Sequence, residues 1–126
     1  MRCLLDTHAI IWCVDKRNSM LSAKAEEVIL DPQNTIYFSS ASLWEIAIKI
    51  GLGKLDISFA NLLREIKKVG FIILHPEDVY LQKLIELPRI HKDPFDRLLI
   101  ATAQTEEMVL VTTDENIHKY DVQWIW

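Results

Sequence analysis

Apolar and polar positions along the chain fall into short runs of two kinds that take turns. Arg2–Leu5 is an apolar stretch closed by Asp6 and Thr7, the pattern of a buried strand. The apolar segment Thr7–Val14 follows as a short helix. Ser22–Leu30 begins on a serine cap, is built of good helix formers and stops before Pro32. Thr35–Ser39 (TIYFS) is β-branched and aromatic, a second strand. Ser40–Ile50 reads as a helix ended by Gly51 and Gly53, and Ser58–Val69 as another, capped by serine and stopped by Gly70. Phe71–Leu74 (FIIL) is a third strand, halted before Pro76, and Pro76–Leu87 is a helix closed by Pro88. Asp93–Glu107 is a long helix with Pro94 at its first position. Val109–Thr112 is a fourth strand and Val122–Trp126 a fifth.

These strands are apolar throughout instead of alternating with polar residues, as a parallel sheet covered on both faces requires. The expected fold is therefore α/β, a three-layer α/β/α sandwich around a central parallel sheet of about five strands. With 126 residues the chain has the length of one domain, spanning 1–126. Half of its residues are apolar and a quarter charged, the balance of a globular domain. The net charge of −4 argues against a domain devoted to sequence-independent nucleic-acid binding, but not against an enzyme that touches nucleic acid briefly. Cys3 and Cys13 have no CxxC partner and read as small buried hydrophobes of a reducing compartment. Asp6 interrupts the first apolar run, and no stretch reaches the ~18 residues of a membrane span. A cytoplasmic protein with no membrane contact is expected.

Ligands of open parallel sheets bind beyond the carboxyl ends of the strands. Asp6 follows the first strand, Asp114 follows the fourth in VTTDEN, and Asp93 and Asp96 open the helix DPFDRLLIATA. Glu45 lies inside the helix SASLWEIAIKI. Each acid also has a purely structural explanation. Asp6 and Asp114 suit helix N-caps, Asp93 and Asp96 imitate a capping box, and Glu45 forms an i,i+4 pair with Lys49. Several carboxylates at one spot, however, repel one another unless a cation sits between them. Oxygen ligands without His or Cys select hard ions such as Mg²⁺ or Mn²⁺, and such a site at a sheet edge suits phosphoryl transfer.

The segments LLDTHAIIW at 4–12, SASLWEIAIKIGLGKL at 40–55, HKDPFDRLLIATA at 91–103 and LVTTDENI at 110–117 resemble the PIN domain. Within that family they most resemble the VapC-type toxins of toxin–antitoxin systems. The resemblance implies an α/β/α fold and a metal-dependent endoribonuclease using Mg²⁺ or Mn²⁺. It puts the family's acids on Asp6, Glu45, Asp96 and Asp114 as catalytic, metal-binding residues. Asp6 and Asp96 would ligate the main ion, while Glu45 and Asp114 complete the shell or orient the attacking water. Cleavage by water would leave a 5′-phosphate and a 3′-hydroxyl. Supporting polar residues fall on Thr7 and on Thr112 or Thr113, with Asp93 an extra acid, first a helix cap. The resemblance also implies an RNA substrate, a cognate antitoxin that blocks the site, and a homodimer.

Around the acids, Lys49, Lys54, Arg89, His91, Lys92 and Arg97 are candidates to neutralise RNA phosphates at the rim, or are ordinary surface charges. His8 suits capping or packing as well as substrate contact. Trp12, Trp44, Trp124 and Trp126 have apolar neighbours and read as core or interface. Two other functions compete. A catalytically inactive PIN-fold interaction module would keep the fold alone. An aspartyl phosphatase or phosphotransferase would use Asp6 as nucleophile, but the second acid it needs two residues on is replaced by His8.

Overall fold

A computed structural model describes residues 1–126. Five strands, β1 (Arg2–Leu5), β2 (Thr35–Ser39), β3 (Ile72–Leu74), β4 (Val109–Val111) and β5 (Trp124–Ile125), form one sheet. Every pairing is parallel, in the order β3-β2-β1-β4-β5. Seven helices surround it: α1 (Thr7–Val14), α2 (Ala23–Leu30), α3 (Ser40–Gly51), α4 (Phe59–Val69), α5 (Asp78–Glu86), α6 (Pro94–Glu106) and α7 (Glu115–His118). A 3₁₀ turn, Lys16–Asn18, follows α1. The expected three-layer arrangement is what the chain adopts.

Alternation along β1 divides the core in two. Cys3 and Leu5 point to one face and pack with Ile10 of α1, Val28 of α2, Ile46 of α3 and Leu62 of α4. Leu4 points to the other, against Leu99 and Ile100 of α6, Ile117 of α7 and Tyr120. The three β1 residues are fully buried, so the central strand is apolar on both faces because helices cover both. The edge strand β3 differs, with Ile72 and Ile73 well exposed.

Local chemistry sets the element ends. Ser22, Ser39 and Ser58 each accept a backbone N–H from the helix they cap. Gly70 ends α4 at φ 80°, a left-handed conformation that favours a residue without Cβ. Several expected boundaries shift. The helix after β3 starts at Asp78, because Pro76 leads in and Glu77 is the extended N-cap residue. The last strand shrinks to Trp124–Ile125, pairing only with β4. The helix α7 shows in the sequence only as the capping residue Asp114, since four residues are too few to show a period.

No helix is long and apolar enough to cross a membrane. Cys3 and Cys13 are both free thiols, and burial pushes Cys13 up to about 11.

Candidate active site

The strand order makes the junction of β1 and β4 the place where the chain reverses its direction of travel across the sheet. Crossovers from β1 run toward β2 and β3, while β4 and β5 add on the other side. Crevices at such switch points are where open parallel sheets bind ligands. Leu5 pairs with Val111, and the Asp6 N–H donates to the Val111 carbonyl (3.2 Å), so Asp6 and Thr112 leave the sheet side by side. The Thr112 hydroxyl accepts the Asp114 N–H (3.1 Å) and, from its place beside Asp6, favours the charged form of that carboxyl. The N-terminus of α6, packed over this junction through Leu99 and Ile100, brings in Asp96.

The capping and the functional explanations of these acids hold together. Asp6 Oδ1 accepts the Ala9 N–H (2.8 Å) and caps α1. Asp114 Oδ1 accepts from Asn116 (2.7 Å) and Ile117 (3.3 Å) and caps α7, while its Oδ2 faces the His91 ring. Asp93 Oδ1 caps α6 through the N–H groups of Phe95 (2.8 Å) and Asp96 (3.0 Å). Capping thus uses one oxygen of Asp6 and one of Asp114, fixing each carboxylate at the end of a rigid element.

The electrostatics are those of a crowded anionic site. Burial pushes the Asp6 carboxyl up, the Thr112 hydroxyl and the Ala9 N–H hold it down, and Asp114 raises it further. Asp96 is pushed up to about 7, first by burial and then by the charge of Asp93, with Asp114 and Asp6 adding to the rise. His91 opposes this through a 2.8 Å contact from Nε2 to Asp96 Oδ2, and the same nitrogen lies 3.6 Å from Asp114 Oδ2. One donor atom from each of His91, Asp96 and Asp114 falls within 4.8 Å of the others. A buried and two half-buried carboxylates, with Asp6 and Asp96 both raised by their acidic neighbours, are a donor set that fits a hard divalent ion.

Glu45 belongs to an adjoining layer. It is buried on α3, where Oε1 accepts the Thr7 hydroxyl (2.7 Å) and Oε2 pairs with Lys49 (3.0 Å). Ser42 Oγ lies 3.0 Å from Thr7 Oγ1. Thr7 follows Asp6 directly, so Glu45 is tied to the cluster through α1. Lys49 is therefore engaged with Glu45 rather than free at the rim.

Arg97 is also occupied: Nη1 donates to the Pro88 carbonyl (2.9 Å) and to Tyr120 Oη (3.1 Å), knitting the segment before α6 to the end of α7. Thr113, Lys54, Arg89 and Lys92 are exposed, and His8 stacks on Trp12 at 5.3 Å between ring centroids. Among the tryptophans, Trp12 and Trp126 join the core margin, whereas Trp44 and Trp124 are 65% and 44% exposed. Sequence reading placed His91 at the phosphate rim, but the structure seats it between two acids. Its position five residues before Asp96, in a segment interrupted by Pro94, was the available signal.

Sheet order, acid placement and donor chemistry define an α/β protein with a candidate divalent-metal centre at its switch point. The PIN domain family model matches residues 3–123, and the chain belongs to that family, whose members are in general nucleases acting on phosphodiester bonds. No curated protein matches it. Among solved structures it is similar to VapBC2 from Rickettsia felis bound to a DNA fragment from its promoter, at 18% identity and TM-score 0.72, covering 99% of this chain and 98% of that one. It is also similar to VapBC-5, a member of the VapBC family of toxin–antitoxin systems from Mycobacterium tuberculosis, at 18% identity and TM-score 0.62, with 98% and 97% covered. The PIN domain endonuclease Utp24 is a more distant likeness at 18% identity and TM-score 0.53, with 93% and 74% covered.

Proposed function

We propose that residues 1–126 form a single VapC-type nuclease domain, a metal-dependent endoribonuclease that acts as the toxin of a toxin–antitoxin pair. One observation carries the reading: Asp6, Asp96 and Asp114 leave three separate elements and converge at the switch point, where the Asp114 charge raises the proton affinity of both Asp6 and Asp96. Capping alone does not call for that convergence. Asp6, Asp96 and Asp114 would hold Mg²⁺ or Mn²⁺, with Glu45 completing the set from α3. The bound ion would supply Lewis acidity at a phosphodiester and an activated water. The chain's own residues do the rest. Capped backbones hold Asp6 and Asp114 in fixed rotamers, Thr112 bridges them, and Thr7 with Lys49 fixes the direction of Glu45. Exposed Lys54, Arg89 and Lys92 would meet RNA phosphates.

The proposed partners are an RNA substrate, a cognate antitoxin and a second copy of the chain, all acting in the cytoplasm. The VapBC likenesses support the antitoxin. Exposed Trp44 and Leu81, beside a groove lined by Pro76 and Phe95 between α3, α5 and α6, support a homodimer. The test is cleavage of single-stranded and structured RNA with Mg²⁺ or Mn²⁺ added or chelated. Wild type should cut only with metal, and Asp6→Asn and Asp96→Asn should be inactive while folded. A folded Asp6→Asn protein that cuts at the native rate would end the proposal.

A further inference from the structure

We infer that His91 is a nitrogen ligand of the metal centre, which gives the site a preference for borderline transition ions over Mg²⁺. The inference deepens the proposed function, resting on the same centre. Carboxylates already bind later first-row ions more tightly, and an imidazole widens that gap because it suits such ions and suits Mg²⁺ poorly.

Spacing is the first argument. Neighbouring donors around a small divalent ion, each about 2.1 Å from it, stand roughly 3.0–3.4 Å apart in octahedral or tetrahedral arrangement. His91 Nε2 is hydrogen-bonded to Asp96 Oδ2 at 2.8 Å and lies 3.6 Å from Asp114 Oδ2, so a shift of a few tenths of an ångström, with loss of that hydrogen bond, brings all three donors to ligand spacing. The same nitrogen addresses both acids, and its side chain is 14% exposed, so it has been brought in from solvent.

The second argument is the scaffold behind it. Tyr120 is buried, and its hydroxyl accepts the N–H groups of Ile90 (3.2 Å) and His91 (2.8 Å) and donates to the Pro88 carbonyl (2.9 Å). Arg97, on the turn of α6 next to Asp96, braces the same hydroxyl and the same carbonyl. Backbone groups of an irregular segment that would otherwise face water are thus fixed by two side chains from α6 and the end of α7. Such support is characteristic of ligands whose direction matters. A phosphate-binding side chain at the rim needs no such anchoring.

Calorimetric titration of the full chain with Co²⁺ alone and Mg²⁺ alone, with the visible absorption of bound Co²⁺, tests this. Wild type should bind Co²⁺ more than about 10-fold tighter than Mg²⁺. His91→Ala should lose about 10- to 100-fold in Co²⁺ affinity with Mg²⁺ changed less than about threefold, and the Co²⁺ spectrum should shift. His91→Gln, which keeps a polar side chain in the segment, should behave like alanine. Unchanged or tighter Co²⁺ binding in both variants would overturn the inference, making His91 an internal counter-ion that an entering cation displaces. Asp96→Asn and Asp114→Asn separate the two readings. If they abolish binding while the His91 variants do not, the acidic centre stands and only the ligand assignment falls. If wild type binds neither ion, both fall.

Discussion

Asp96→Asn should stabilise the metal-free protein at alkaline pH while abolishing cleavage. In the folded chain Asp96 is pushed up from 3.8 to about 7 by burial and by the charges of Asp93, Asp114 and Asp6. A carboxyl whose folded pKa lies above its unfolded value holds its proton more tightly when folded. Stability contributed by the neutral form is therefore complete below about pH 4 and is lost as pH rises toward 7. At about 1.4 kcal/mol per pH unit, that interval sets a ceiling of about 4 kcal/mol. Since three neighbouring acids share in the repulsion, and Asp96 keeps some contact with solvent, neutralising it alone should recover about 2 kcal/mol at pH 8. For a domain of this size that is roughly 8 °C in Tm. Near pH 4 the two proteins should melt together, because asparagine and the protonated acid are alike in charge and shape. Thermal unfolding followed by circular dichroism in chelator, at steps from pH 4 to 8, reads the whole curve. Saturating Mn²⁺ should then raise wild type and leave the variant nearly unmoved. A variant that is less stable than wild type by the same amount at every pH would show that charge crowding is not what stresses the site.

Three further outcomes follow from single contacts. Tyr120→Phe removes one buried hydroxyl and strands the N–H groups of Ile90 and His91, so it should cost about 1–3 kcal/mol in urea unfolding and speed amide exchange at those two residues. Thr7→Val keeps shape but takes away the O–H that Glu45 accepts, and should cost about 1–2 kcal/mol by the same assay. Asp93→Ala loses the cap of α6, about 1 kcal/mol, and also removes the largest charge acting on Asp96. The Asp96 titration, followed by carboxyl carbon chemical shift, should move to lower pH.

The layers of the fold were legible because each strand is short, apolar and bounded by a capping residue or a proline. Ser22, Ser58 and Asp93 announce their helices, and the structure places a side-chain cap at each. Strand order was not legible, since nothing local in Val109–Val111 says that it lies against β1 rather than at an edge. Asp6, Asp93, Asp96 and Asp114 stand out in the sequence at element ends and Glu45 inside a helix, but which of them touch does not show there. Glu45 and Asp6 are joined only through Thr7, whereas Asp96 and Asp114 meet across His91. The contacts of Arg97 are illegible for a related reason. Its charge suggested phosphate, and only the folded path of residues 84–91 supplies the carbonyls and the Tyr120 hydroxyl that occupy it.

That pattern explains how a chain with net charge −4 can tolerate an acidic cluster at its switch point. The fold offsets part of the repulsion locally before any ion arrives. Helix N-termini at α1, α6 and α7 each direct N–H groups at one aspartate of the region, and the Thr112 hydroxyl, which accepts the Asp114 backbone N–H, holds the Asp6 carboxyl down. Lys49 balances Glu45, and the His91 ring contacts both Asp96 and Asp114. What these contacts leave uncompensated shows at both Asp6 and Asp96, the latter in the first turn of α6 beside the capping Asp93. A cation entering between Asp6, Asp96 and Asp114 would favour the charged form of each, so ion binding and loss of the Asp96 proton should be one coupled event. Proton release on metal addition should accordingly be largest below pH 7, shrink above it, and disappear in Asp96→Asn.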